Sequence, residues 1–292
     1  MVERILAWLR PQSGATYVDC TIGLGGLAAR ILDCSGPDGI LIGIDRDEEA
    51  IHMAQARLAP YAGRTRFIHG NFVNLKQHLA TLAVPRVDGV ILDLGVSSAQ
   101  LGRADRGFSF LADGPLDMRM DQSSGPTAAD VLNRLSEPEL ADLIYQYGEE
   151  RHARRIARQI VRARNDAPLL TTQQVVEVIR AAVPGPYRHG RIHFATRTFQ
   201  ALRIATNREL EVLEPTLRDA ADALAAGGRL CVISFHSLED RIAKHTFKAL
   251  SQGASPVLAV LTKRPETASE EERRENPRAR SAKLRVAERR LS

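Results

Sequence analysis

TYVDCTIGLGGLAARIL, residues Thr16–Leu32, runs from an apolar strand through a carboxylate and a glycine-rich turn into an apolar helix. A buried strand that ends near Asp19 and feeds Gly23, Gly25 and Gly26 before a helix is the opening unit of an open α/β sheet. Glycines at such a turn let backbone approach a ligand, and the helix behind them presents unpaired N–H groups. Outward from it, ILIGID (Ile40–Asp45) reads as a second strand and RFIHG as a short third. VDGVILDL (Val87–Leu94) is a fourth, whose apolar run stops at Asp93. Asp45 closes the second strand where a carboxylate accepts the hydroxyls of a ribose.

Two nucleotide chemistries fit this pattern. Gly23-x-Gly25-x-x-Ala28 satisfies the dinucleotide fingerprint, so a nicotinamide-dependent oxidoreductase competes. Asp19, just ahead of the glycines, has no use in binding a pyrophosphate, and a dehydrogenase needs no carboxylate at Asp93. Asp-x-Thr-x-Gly-x-Gly instead resembles the acidic, glycine-rich first motif of S-adenosylmethionine enzymes, whose cofactor carries no phosphate.

The 292 residues are 44% hydrophobic and 26% charged, which suits one large domain or a core with an insert. Lys and Arg exceed Asp and Glu by 40 to 35, giving a pI near 9.4 that permits a polyanionic partner without requiring one. Cys20, Cys34 and Cys231 lack ligand spacing and read as thiols of a reducing compartment, which predicts a cytoplasmic protein. The start, MVERILAWLRPQ, reads as a short amphipathic helix with Ile5, Leu6, Trp8 and Leu9 on its apolar side, not as a signal peptide or membrane anchor.

After strand four the alternation stops. Residues 103–193 show loop and helical patterns only: TAADVLNRLSEPELADLIYQYG, EERHARRIARQIVRAR and TTQQVVEVIRAAV. They predict a helical insert between core segments 1–102 and 194–292. The core resumes with helices that Gly227-Gly228 is expected to cap, and RLCVISF makes a fifth strand. VLAVLT and SAKLRVAE form a late pair on one sheet edge, the second half-exposed by its alternation. Between them, Lys263–Lys283 reads as a solvated, partly mobile loop, with Arg278 and Arg280 as a minor option for touching RNA.

Ligands of open α/β sheets bind beyond the carboxyl ends of the strands, so Asp93 should face the crevice with Gly25 and Asp45. Methylation of an exocyclic base amine needs its N–H groups held and its nitrogen aligned, work a strand-end Asp can do. Asp93 is the candidate catalytic residue; the competing reading is a cap for the next helix. His236, in SFHSLED beyond strand five, is a weaker catalytic candidate beside a structural hydrogen-bonding role. Arg151, Arg155, Arg158 and Arg162 recur at three- and four-residue spacing, a stripe suited to phosphates or simply solvated beside Glu149 and Glu150. Phe108 and Phe110 either wall a base pocket or fasten their loop. His189 and His193 lie in Pro/Gly-rich chain, and no metal site is expected.

DGVILDLGVSSAQLGRADRGFSFLADGPLDMRMD (Asp88–Asp121) is similar to the hallmark of the MraW/RsmH family of bacterial 16S ribosomal RNA cytosine-N4 methyltransferases. YGEERHARRIARQIV, ATRTFQALRIATNREL, GGRLCVISFHSLEDRI and NPRARSAKLRVAE resemble it too, so the likeness spans nearly the whole chain. It implies a class I, Rossmann-like methyltransferase sheet with a substrate-recognising helical insert. It also implies S-adenosylmethionine as donor and a cytidine of the decoding region, in the small ribosomal subunit, as target. Cofactor contacts carried over by the likeness fall on Gly25, Gly26, Leu27, Asp45, Phe72, Asp93 and Gln100. Leu27 stands where the family usually has His, so a backbone contact there survives and a side-chain one does not. The family's usual start is a few residues longer, which predicts a shortened start or a cofactor pocket lacking part of its cover. Both departures keep a catalytically inactive RNA-binding relative in view.

Overall fold

The computed structural model describes residues 1–291. Two compact units divide it, one formed by Met1–Gly95 with the chain from Leu210 onward, the other by Val96–Glu209. The first unit opens with α1 (Val2–Leu9), β1 (Thr16–Asp19), α2 (Gly26–Cys34), β2 (Ile40–Asp45), α3 (Glu48–Arg57), β3 (Thr65–His69), α4 (Leu75–Thr81) and β4 (Val87–Asp93). The second holds α5 (Ser98–Gly102), α6 (Ala128–Arg134), α7 (Glu137–Gly148), α8 (Ala153–Asp166), α9 (Thr172–Ala182), α10 (Gly185–Arg188) and α11 (Thr196–Asn207). The chain returns through α12 (Glu209–Ala223) to β5 (Leu224–Ser234), α13 (Ser237–Leu250), β6 (Leu258–Val260), β7 (Glu266–Thr267), α14 (Glu270–Glu275) and β8 (Lys283–Arg289).

The strands form one sheet in the order β3-β2-β1-β4-β5-β8-β6, with β7 also on β8. β1 to β5 pair in parallel, and β8 runs antiparallel to its neighbours. Val90, Ile91 and Leu92 are wholly buried, as a central parallel strand covered on both faces requires. From β1 the chain builds outward through β2 and β3, then crosses back to place β4 on β1's other side. That reversal makes a topological switch point, with a crevice beyond the carboxyl ends of β1 and β4. Ile5, Leu6 and Leu9 of α1 are buried in the same apolar cluster as Tyr17, Ile91 and Ile233.

Three sequence expectations change here. SAKLRVAE is not a half-exposed edge: β8 sits between β5 and β6, and its Arg285 is only 7% exposed. The Arg285 guanidinium donates to Asp240 Oδ1 at 2.7 Å, so a charge in the alternation is satisfied internally. Gly227 and Gly228 do not cap a helix, because α12 ends at Ala223 and the glycines lie within β5. There the pairing jumps from Val87↔Leu224 to Gly89↔Arg229, a bulge that takes up the extra residues. The span after β6 is built of β7, α14 and a 3-10 turn at Pro277–Ser281.

The second unit runs wider than 103–193 because α11 belongs to it. α7 and α11 approach so closely that a Cβ on Gly148 would lie 2.5 Å from the Arg197 carbonyl oxygen. The polar-looking loop after α5 supplies much of this unit's interior: Phe108, Leu116, Met118 and Met120 are buried in its core. Arg106, 2% exposed, donates through Nη2 to the carbonyls of Arg119 (3.1 Å) and Met120 (3.0 Å). The side-chain amide of Asn207 donates to Met118 O, and its oxygen accepts from Met120 N–H. A shorter loop could not carry these groups inward. No helix among the described residues is long and apolar enough to cross a membrane.

Candidate active site

Gly25 is the N-cap of α2 with φ +72°, a left-handed conformation that costs an L side chain about 1–2 kcal/mol. A Cβ there would also press on Leu58 Cδ1 at 3.3 Å and on Ala54 at 3.4 Å. Gly26 is exposed as the first residue of the helix, and Leu27 is half-buried against the α1–α2 cluster. The turn is tied to the neighbouring strand by Asp45, whose Oδ2 accepts from Gly23 N–H at 2.9 Å and Oδ1 from Asp47 N–H at 3.0 Å. Asp45 therefore shapes the glycine turn while staying half-exposed.

Beside it, the hydroxyl of Thr21 accepts from the Asp93 main-chain N–H at 2.7 Å and lies 3.5 Å from Asp19 Oδ1. Asp19 Oδ1 also accepts from Thr21 N–H at 3.1 Å. This links the ends of β1 and β4 through one side chain. Phe72 follows β3 by a few residues, half-buried against the apolar cluster that includes Ile44, and Gly70 N–H donates to Asp45 O at 2.8 Å. Gly25, Gly26, Leu27, Asp45, Phe72 and Asp93 thus gather around the carboxyl ends of β1 to β4.

Charge distinguishes this end of the sheet. Asp19 is 2% exposed, and burial pushes its carboxyl up to about 7, helped by the charges of Asp93 and Asp45. Asp93 is an exposed residue whose carboxyl is nonetheless deeply surrounded by protein, and that desolvation, with Glu239 next in effect, pushes it up to about 7 against the lowering effect of the Met1 amine. Burial raises Asp45 as well. Among the described residues no Lys or Arg pairs with any of the three, and no hydrogen bond reaches the Asp93 carboxylate. Such a crevice repels a pyrophosphate and gains from a cation.

His236 lies just beyond β5 and caps α13: its Nδ1 accepts from Glu239 N–H at 3.5 Å, and Nε2 lies 3.1 Å from Glu239 Oε1. Glu239, 2% exposed, returns the contact by accepting from Phe235 N–H at 2.8 Å. The imidazole thus enters a capping box through Nδ1, while its buried Nε2 makes no hydrogen bond among the described residues. Glu239 is a residue that sequence reasoning missed; the box spacing His-x-x-Glu at a strand end was its available signal.

In the second unit Gln100 is buried in α5's capping box, its Oε1 accepting from Ser97 N–H at 2.9 Å. Arg151, Arg155, Arg158 and Arg162 are all exposed. Arg151 stacks over Tyr187 at 4.9 Å and Arg158 approaches Glu137 at 3.4 Å, whereas among the described residues nothing pairs with the guanidinium groups of Arg155 and Arg162. Glu150 does not neutralise them, being wholly buried and bonded to Tyr187 Oη and His152 N–H. Phe108 is buried and Phe110 packs between His193 (4.6 Å) and Phe199 (4.9 Å), so both rings fasten their loop inward.

A cofactor with a sulfonium and no phosphate suits three carboxylates without a Lys or Arg partner among the described residues, and on this sheet order the molecule is a class I methyltransferase. The chain belongs to the MraW methylase family, whose model matches residues 1–290. It is 52% identical over 299 residues to the ribosomal RNA small subunit methyltransferase H of Geobacter sp. (strain M21), covering 98% of this chain and 96% of that one. The protein of the same name from Pelobacter propionicus is 52% identical over 302 residues, covering 99% and 96%. A solved rRNA methylase from Streptococcus thermophilus aligns over 99% of this chain and 94% of its own, at 11% identity and a TM-score of 0.46.

Proposed function

We propose that the protein methylates N4 of a cytidine in the decoding region of 16S ribosomal RNA, acting in the cytoplasm on the small ribosomal subunit. The observation that carries this reading is the acidic Asp19–Asp45–Asp93 crevice at the switch point of the sheet, to which no Lys or Arg among the described residues is paired. The relatives' names, which specify small-subunit ribosomal RNA, support the substrate. When bound, S-adenosylmethionine supplies an electrophilic methyl group on a positively charged sulfur.

The chain's own residues do the rest. The Gly25–Gly26 turn gives a ligand access to backbone, Leu27 offers a backbone contact, and Asp45 accepts from ribose hydroxyls beside Phe72. Gln100 is the family's further contact position. The Asp93 carboxylate accepts an N–H of the target amine, orients the nitrogen, and takes up the proton that nitrogen loses on methylation. An acceptor poised near 7 suits that task, because it releases the proton again at neutral pH. His236 enters through Glu239, as a positioning residue for the β5 end. Arg151, Arg155, Arg158 and Arg162 hold RNA phosphates.

Labelled methyl incorporation into 16S rRNA and into small subunits, followed by nucleoside mass analysis, tests this. N4-methylcytidine is expected with the wild type and a loss of at least a hundredfold with Asp93→Ala, the scale of removing a general base. Methyl on another base position, or equal incorporation by the variant, overturns the assignment. A wild type that binds RNA without methylating it would be the inactive relative.

A further inference from the structure

The segment between α14 and β8 lies in the stretch whose sequence predicts a solvated, partly mobile loop, and it is anchored and carries charge outward. Ala279 and Ala282 are 5% and 2% exposed, whereas Arg278, Arg280 and Ser281 between and beside them face solvent. The Asn276 side chain accepts from Arg278 N–H at 3.1 Å, and Ala279 N–H donates to Asn276 O at 2.9 Å, fixing the turn. Ala282 packs in the cluster that holds Ile5, Ile91, Ile233 and Leu284. Two neighbouring cations are engaged locally: Lys283 pairs with Asp240 at 3.2 Å and Arg273 donates to Thr267 Oγ1 at 3.0 Å. Glu272 is taken by the Met1 amine. Among the described residues nothing pairs with the guanidinium groups of Arg278 or Arg280.

Register gives the segment its address. Lys283 pairs with Ser234 on β5, and Asp93 pairs with Ile233 on the same strand. β8 therefore starts two strands from the Asp93 strand, about 10 Å across the sheet at the usual strand spacing. Arg278 and Arg280 precede that start, so they stand off the same carboxyl end of the sheet as the crevice. A nucleotide chain whose base reaches Asp93 carries flanking phosphates at about this separation, since its backbone advances several ångströms per nucleotide.

We propose that Arg278 and Arg280 form a phosphate clamp for the nucleotides flanking the target base, a second RNA contact independent of the α8 stripe. The inference deepens the RNA-methylation reading and rests on it. Two free guanidinium groups on a turn pinned by buried alanines present charge with little ordering to be done on binding. The acidic side chains nearest in sequence, Glu270, Glu271 and Glu275, belong to α14 and precede the turn.

The test compares the full-length wild type, Arg278→Ala/Arg280→Ala and Arg278→Lys/Arg280→Lys for binding to in vitro transcribed 16S rRNA across a salt series. Loss of two contacts to single-stranded phosphates should flatten the slope of log K against log salt by about 1.4. The alanine pair should raise KM for rRNA about tenfold, with kcat at saturating RNA, cofactor affinity by calorimetry and melting temperature unchanged. The lysine pair should retain most of the affinity, because a point charge serves a phosphate. A wild-type slope and KM in the alanine pair overturn the clamp alone. Loss of kcat with an unchanged slope also overturns it, in favour of a structural role. A wild type that neither binds nor methylates rRNA overturns the parent reading instead.

Discussion

The main-chain N–H of Asp93 donates to the hydroxyl of Thr21 at 2.7 Å, so the residue that ends β4 is held by the residue two beyond β1's terminal carboxylate. Thr21 thereby sets the height of Asp93 over the switch point. Thr21→Val keeps the shape and strands the Asp93 N–H, which should cost about 1–3 kcal/mol and lower the melting temperature by several degrees. Scanning calorimetry reads the first effect and titration calorimetry a weakened cofactor affinity. Unchanged values in both would show that the hydroxyl has no such role.

Asp19 supplies a pH signature. Its ordinary value of 3.8 is raised to about 7 in the folded chain, so between those limits the folded state holds a proton that the unfolded state has released. Stability from this group therefore falls as pH rises from about 4 to about 7 and is level beyond. Asp19→Asn, which keeps an oxygen for Thr21 N–H, should melt higher than wild type at pH 8 and differ little at pH 4. Equal shifts at both pH values would contradict the sign.

Asp93 predicts a rate profile. Its carboxylate is an acceptor only when ionised, and the free protein holds it near 7. The kcat/KM for S-adenosylmethionine should fall about tenfold per pH unit below that point. The break in kcat should lie lower, because a bound cation favours the ionised form. A profile flat from pH 5 to 8 would remove Asp93 from the reaction.

Gly25→Ala joins a left-handed φ of +72° to contacts at 3.3–3.4 Å with Leu58 and Ala54. A stability loss of about 1–2 kcal/mol is expected from the backbone strain alone. Cofactor affinity should fall further, since the turn must shift to admit the methyl. Gly14→Ala, with φ +76° and no atom within 4 Å of the new Cβ, is the control for strain away from the crevice.

Arg155→Ala combined with Arg162→Ala removes two free guanidinium groups from α8. The salt slope for rRNA binding should lose about 1.4, at about 0.7 for each single-strand phosphate contact, with the melting temperature unaffected. A wild-type slope would return α8 to a solvated face.

Asp240→Ala leaves the buried Arg285 unpaired and should cost about 3–5 kcal/mol, whereas replacing both, as Asp240→Leu with Arg285→Met, should restore much of it. Denaturant titration compares the two. A double variant no better than the single would argue against burial of an unpaired charge as the cause.

Much of the first unit was legible because its signals are local. Val90–Leu92 reads as a strand from its own apolarity, Gly23–Gly26 reads as a turn from backbone freedom, and Asp45 and Asp93 end their strands in plain sight. His236 gave less, since a histidine at a strand end looks the same whether it meets substrate or, as here, caps α13 with Glu239. Phe108 and Phe110 were ambiguous for a similar reason: an aromatic in a polar loop has no period to say which way it faces.

By itself, then, the chain's order of residues determined the alternating α/β frame, the glycine turn, the carboxylates at the strand ends and the family. Only the tertiary structure decided that β8 slips between β5 and β6, that Arg285 is buried against Asp240, and that Met118 and Met120 complete a second core. It also decided that Asp19, Asp45 and Asp93 share one end of the sheet, with no Lys or Arg among the described residues paired to them and only the Met1 amine acting on Asp93. The physical reason is range: backbone freedom and apolar period act over a few residues, whereas strand insertion, ion pairing and the gathering of like charges depend on what distant segments bring alongside.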